Sequence, residues 1–205
     1  MASVLAGFRP VKHLNGSPYN GQFNKYTVSS AETVALNVGD LVALSDSASI
    51  VDAGGGVYPA VERVGTSTTT PVTSAAIVGS IVGFEVDYSN LNAGNYRAAS
   101  TARVVYVADA PDLVFAAPQD AVGGVIAAAS VGLNSALVPG TTSTSAPYAS
   151  GSSVDSSSVS TTSTLPLRVV GFTNSPDQDV TSTSRPAEVL VMINTHQYAN
   201  GIQGV

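Results

Sequence analysis

The sequence contains no cysteine and no tryptophan. Without thiols it can form neither disulfides nor thiolate metal sites, so packing and hydrogen bonds must hold the fold. Charge is also scarce. Asp, Glu, Lys and Arg make up 11% of the 205 residues, against about 25% in an ordinary soluble domain. The only lysines are Lys12 and Lys25, and the only histidines are His13 and His196. The net charge is −6 and the eight basic residues form no cluster. Both facts argue against sequence-blind nucleic-acid binding, which needs grouped Lys and Arg to displace counterions from phosphates. No run of about 18 apolar residues is present to cross a bilayer as a helix. The longest apolar stretch, residues 122–131, is interrupted by Gly123 and Gly124. The opening Met-Ala-Ser-Val-Leu-Ala-Gly-Phe-Arg-Pro has no charged start and no long apolar run, so it does not read as a signal peptide. These absences lead us to expect a protein made in a cytoplasm and soluble there, with no membrane and no nucleic acid as partner.

Hydrophobic residues make up 44% of the chain, enough for a sizeable core. Solubility falls to Ser, Thr, Asn and Gly. A surface so poor in charge places few electrostatic obstacles against close packing with another protein, and interface centres are themselves depleted in Lys and Glu.

Short strand signals separated by turn signals run through most of the chain. Residues 26–28, 33–36, 41–44, 57–64, 76–86, 103–108, 113–115, 167–172 and 187–194 are rich in β-branched and aromatic residues or alternate in polarity. Gly79 and Gly83 inside one of these stretches point to bulges or close backbone approach. Gly54, Gly55 and Gly56 mark a loop after Ile50-Val51. Residues 122–138 are ambiguous, because alanine favours helix while the glycines oppose it, and we read them as a short strand with loops. Residues 141–164 are mostly Ser and Thr. They fit a flexible loop or a strand with a polar outer face. Residues 174–185 read as a polar loop, and the tail from 196 to 205 as irregular. No stretch of ten or more residues has helical period. The pattern predicts an all-β fold, a β-barrel or β-sandwich with little or no helix.

Residues 1–26 read as an extended N-terminal arm ahead of a β-rich domain over 27–205, with possible subdomains at 27–108 and 109–205. Pro10, Pro18, Asn15-Gly16 and Asn20-Gly21 break this segment, and its apolar residues show no regular period. Such an arm is not expected to bury its own aromatics. It would lie across its own domain or across a neighbouring subunit. Phe8, Arg9, Lys12, Tyr19 and Phe23 are therefore the candidate partner-binding residues.

Catalytic patterns are sparse. No Gly-x-Ser-x-Gly and no His-Glu-x-x-His occurs, and the triple glycine lacks the Gly-Lys-Ser/Thr of a phosphate loop. Asp109 and Asp112, or Asp177 and Asp179, are carboxylate pairs of the kind a glycosidase or a calcium site uses. Asp-x-Pro-Asp is also ordinary turn chemistry. We therefore expect no enzyme activity, no cofactor and no metal.

Two stretches carry a resemblance. The first is Gly94-Asn95-Tyr96-Arg97 followed by Val104-Val105-Tyr106-Val107-Ala108-Asp109-Ala110-Pro111-Asp112-Leu113-Val114-Phe115. The second is Leu165-Pro166-Leu167-Arg168-Val169-Val170-Gly171-Phe172 followed by Val189-Leu190-Val191-Met192-Ile193-Asn194-Thr195-His196-Gln197. With Val131-Gly132-Leu133-Asn134, they resemble structural head proteins of tailed bacteriophages, the cement or decoration proteins. Val38-Gly39-Asp40-Leu41-Val42 is a weaker echo. The resemblance implies a β-rich, non-enzymatic protein on the capsid exterior. It would bind the major capsid protein, bridge neighbouring capsid subunits and commonly form a homotrimer. It transfers no individual functional residue. Other readings are a different virion component, such as a head fibre or tail-associated protein, a carbohydrate-binding adhesin module, or a glycosidase using Asp109 or Asp112.

Overall fold

A computed structural model describes residues 6–46, 50–51, 56–88, 90–174, 176, 179–183 and 187–199. In chain order the strands are β1 (Arg9–His13), β2 (Asn24–Val28), β3 (Leu36–Asn37), β4 (Leu41–Leu44), β5 (Ile50–Val51), β6 (Val57–Tyr58), β7 (Val61–Arg63) and β8 (Gly79–Phe84). They continue with β9 (Tyr96–Arg97), β10 (Arg103–Ala108), β11 (Leu113–Ala117), β12 (Asn134–Ser135), β13 (Leu137–Val138), β14 (Ser153–Val154), β15 (Leu167–Phe172) and β16 (Val189–Ile193). The only helical element among the described residues is one 3-10 turn, Ala128–Ser130. The fold is all-β, as the sequence pattern predicts.

One antiparallel sheet runs in the order β2-β10-β8-β4-β7. Its last strand returns to its first: Thr27 N–H donates to Pro59 O at 3.0 Å, and Thr27 bridges Ala60, next to β7. The sheet thereby closes on itself as a small barrel. Alternation along each strand decides which side chains fill it. Tyr26 and Val28 of β2, Val105 and Val107 of β10, and Ile81 and Phe84 of β8 form its interior with Val42, Val61 and Leu36. Leu41 and Ala108, one residue out of phase, contribute to a second and larger core.

That larger core lies between the barrel and a second five-stranded sheet, ordered β1-β11-β16-β15-β12. Phe115, Ala117, Val189, Val191, Leu167 and Val169 face the barrel here. Gly79 makes a close crossing possible: a Cβ there would lie 2.1 Å from Ala108 O. Gly83 pairs with Tyr106 at the register shift between Tyr106 and Val107. The sequence expectation for these two glycines holds.

The N-terminal expectation needs correction. Residues 9–13 are not an unpaired arm, because β1 pairs antiparallel with β11, Arg9 opposite Ala116 and His13 opposite Leu113. Phe8 is 1% exposed within the larger core, and Tyr19 packs against the same core. The strand period is hidden by a bulge, since the register shifts between Pro10 and Lys12 and leaves Val11 out of alternation. The chain then doubles back along the free edge of β1, with Tyr19 N–H donating to Val11 O at 3.0 Å and His13 N–H to Ser17 O at 2.8 Å. The opposite edge is covered too, as Asn134 and Ser160 exchange N–H···O bonds at 2.8 and 2.9 Å.

The Ser/Thr-rich segment also departs from both readings of it. Its serines turn inward. Ser150, Ser152 and Ser153 are buried, and β14 pairs with β13. Their anchor is Asp40, fully buried beyond the barrel strand β4. Its Oδ1 accepts from Ser150 Oγ at 2.6 Å and Ser152 Oγ at 2.9 Å, and its Oδ2 accepts from Asn37 N–H at 2.8 Å. Arg63 Nη2 lies 3.7 Å from Asp40 Oδ1 and donates to Pro139 O and, at 2.8 Å, to Gly140 O. Burial pushes the Asp40 carboxyl above the ordinary carboxylate range; Arg63 and the three hydrogen bonds draw it back.

Residues 33–36 alternate, yet only Leu36 enters a strand. The backbone before it is taken by the buried Arg97, whose guanidinium donates to Ser29 O, Glu32 O and Val34 O at 2.7, 2.8 and 2.7 Å. Residues 122–138 hold the 3-10 turn and the two-residue strands β12 and β13 where one short strand was expected.

Candidate interaction surfaces

The five residues expected to bind a partner do not form one patch. Phe8 is in the core. Arg9 is exposed and pairs with Glu188 at 2.5 Å. Lys12 is half-buried on the same strand. Tyr19 is half-buried, its hydroxyl donating to Gln22 O at 2.8 Å. Phe23 is 48% exposed and stacks on Tyr106 with ring centroids 4.6 Å apart.

Lys25 lies beside that stack, paired with Glu85 at 2.7 Å and placed 5.7 and 5.9 Å from the Tyr58 and Tyr106 ring centroids. Phe23, Lys25, Tyr58 and Pro59 line a recess of about 460 Å³.

The carboxylates singled out in the sequence are engaged with side chains of β1 and β2. Asp112 Oδ1 is 3.0 Å from His13 Nδ1. Asp109 accepts from the Tyr26 hydroxyl at 2.6 Å and from Asn24 Nδ2 at 2.9 Å. The Tyr26 oxygen also lies 3.0 Å from the Tyr198 hydroxyl, which is left to donate to it. Burial, then the Asp109 and Tyr198 hydrogen bonds, hold the Tyr26 phenol far above its ordinary range. Asp177 lies outside the described residues, as do Gly54 and Gly55, and Asp179 caps Thr181 N–H at 2.8 Å. Among the described residues no group of three or more His, Cys, Asp or Glu is arranged to hold a metal ion, and no helix is long and apolar enough to cross a membrane.

His196 is 2% exposed and bridges to Ile77. Its Nδ1 accepts the Tyr198 N–H at 3.1 Å, while Nε2 is buried without a hydrogen-bond partner. Burial lowers its pKa, opposed by the Asp109 charge and by the carbonyls of Val78 and Asp109. The folded chain therefore binds fewer protons at this site than the unfolded chain. Stability is present above the ordinary imidazole pKa of about 6.5 and is lost as pH falls below it toward the lower folded value. The melting temperature should decline between about pH 7 and pH 5, and His196→Phe should flatten that decline. An equal slope in both proteins would remove the assignment.

Among the described residues the two most exposed large apolar side chains, Tyr88 at 86% and Leu91 at 76%, lie on the loop between β8 and β9, with Val86 at 57% on the same loop. Val86 and Tyr88 line a cleft of about 750 Å³ together with Ala93, Tyr96 and Ala102. The loop is held at its base. The Arg103 guanidinium donates to Glu85 O at 3.2 Å, to Gly94 O at 3.0 Å and to Tyr96 O, and it lies 5.0 Å from the Phe84 ring centroid. Tyr96 stacks on Tyr148 at 5.1 Å, and the Tyr148 ring fills the space a Cβ at Gly94 would need. Sequence reading passed over this loop. The available signal was Tyr88 and Leu91 set among Asp87, Asn90 and Asn92, large apolar groups in a stretch with no strand of its own.

No protein-family model matches the chain, and no curated protein or solved structure matches it either.

Proposed function

We propose that the chain is a non-enzymatic capsid cement or decoration protein. It attaches to the outer surface of a bacteriophage head and bridges neighbouring subunits of the major capsid protein, as a homotrimer on the virion exterior. The observation that carries this reading is the braced loop with Val86, Tyr88 and Leu91 outermost. Contiguous exposed apolar groups mark protein-binding surfaces, and a loop fixed beforehand by Arg103 loses little entropy on docking. A charge-poor surface and the resemblance of residues 94–115 and 165–197 to phage head proteins support the same reading. Attachment at several points would add avidity without strong individual contacts.

Co-sedimentation with capsids tests it. The wild-type chain should pellet with intact heads. Tyr88→Ala combined with Leu91→Asp should stay in the supernatant at an unchanged melting temperature. A wild-type chain that ignores capsids would overturn the proposal. The Phe23 ring and the recess beside it favour one alternative, a carbohydrate-binding module, and sugar-array binding without pelleting would put that reading in its place.

A further inference from the structure

Most basic side chains of this acidic chain are already committed. Arg63 and Arg97 are buried, Arg103 is spent on loop carbonyls, Lys25 pairs with Glu85, and Arg185 lies outside the described residues. Lys12 and Arg168 remain, and the strand registers bring them to one face with Arg9, which pairs with Glu188 at 2.5 Å. Lys12 is opposite Val114, Val114 opposite Met192, and Met192 opposite Arg168; one row along, Arg9 is opposite Ala116 and Ala116 opposite Leu190. Leu113, Phe115, Val189 and Val191 point into the core, so their neighbours in alternation point away from the barrel. On the outward face of the second sheet, Leu190 and Met192 are half-buried and Val114 and Ala116 beside them are fully buried, with Arg9 and Lys12 at one side and Arg168 at the other. Lys12 and Arg168 have no carboxylate partner among the described residues.

Carboxylates collect elsewhere. Glu32 and Glu62 line a recess of about 130 Å³ on the barrel, with Ser29, Thr33 and Ser45, and the exposed Asp46 follows directly. We infer that the outward face of the second sheet is an interface between copies of this chain, meeting the Glu32–Glu62 recess of the next copy head to tail. Three arguments select this occupant. Strand addition is closed, because both edges of the sheet are covered. Pairing two identical faces would set Lys12 and Arg168 against their own kind, so a self-contact must be heterologous, and heterologous contacts form rings or filaments. Nucleic acid is disfavoured by the aliphatic centre and by the absence of aromatic groups on which bases stack. The inference names the contact for the trimer proposed above but rests on the charge placement alone.

Light scattering at low ionic strength tests it, where exposed charge pairs are least screened. The wild-type chain should be oligomeric and should dissociate as salt is raised. Arg168→Glu and Glu62→Arg should each lose the oligomer, and the double variant Arg168→Glu/Glu62→Arg should restore it, because every head-to-tail contact then pairs the exchanged charges. Both positions are exposed, and since Arg168 Nε donates to Asn134 Oδ1 at 3.0 Å, an unchanged circular-dichroism spectrum of each variant separates loss of the contact from loss of the fold. A monomeric wild-type chain would overturn the inference and the trimer together. An oligomer that survives both substitutions would overturn the inference and leave the trimer standing. A monomer that binds duplex DNA through Arg168 would assign the face to nucleic acid.

Discussion

Asp40→Ala should lower the melting temperature by roughly 10 °C. Removing one partner of a buried ion pair typically costs about 3–5 kcal/mol, and in a chain of this size each kcal/mol moves the transition by about 2–4 °C. Asp40 and Arg63 are both buried, and Arg63 already has Nε and Nη1 without partners. Taking the carboxylate away strands the guanidinium charge, the Ser150 hydroxyl and the Asn37 N–H together, while the Ser152 hydroxyl keeps Pro139 O at 2.6 Å. The double variant Asp40→Leu/Arg63→Met removes the stranded charge as well, so it should recover part of the loss. A calorimetric shift of under a few degrees for Asp40→Ala would mean that the pair is not holding the 137–155 region to the barrel.

Phe8→Ala should be of similar size. Emptying a buried phenylalanine position costs about 3–5 kcal/mol, and Phe8 packs within the core shared by the barrel and the second sheet. The urea midpoint should fall with little change in slope, because the surface exposed on unfolding is nearly the same. Phe23→Ala is the contrast. That ring is half-exposed on Tyr106, and its loss should cost about 1 kcal/mol, the scale of an aromatic pair. Deleting residues 2–20 would remove β1 and Phe8 along with any surface contact, so a loss of binding after that deletion would report unfolding. If Phe8→Ala instead leaves stability intact and abolishes capsid pelleting, the side chain is a contact and not a core group.

The strands were legible where one rule governed them. Residues 41–44, 103–108 and 167–172 have unbroken apolar or alternating patterns, and each forms a strand of those bounds. Legibility failed where a distant group overrode local pattern. The bulge at Val11 hid β1, Arg97 drew the carbonyls of residues 29–34 away from a ladder, and Asp40 turned the polar 150–153 stretch inward. None of these partners is within reach of a local window; Asp40 and Ser150 are 110 residues apart. Of the residues singled out for binding, Phe8 was misplaced because aromatics among turn residues look surface-bound until a core is known. Tyr88 and Leu91 carry no strand signal, because they sit in a loop outside every strand pattern.

The interleaving of the two sheets also sets an order of assembly. All five barrel strands come from residues 24–108, so a chain leaving the ribosome can close the barrel before its second half exists. The second sheet cannot follow that course. Arg9 emerges early and must wait for Ala116, and β11 must wait for β16. Pairings that distant are slow to form, because loop closure precedes any reward from contact. Through that interval Phe8 has only the barrel half of its core, including Leu41, Ile77 and Ala108, to pack against, which leaves the N-terminal segment in need of protection from its neighbours.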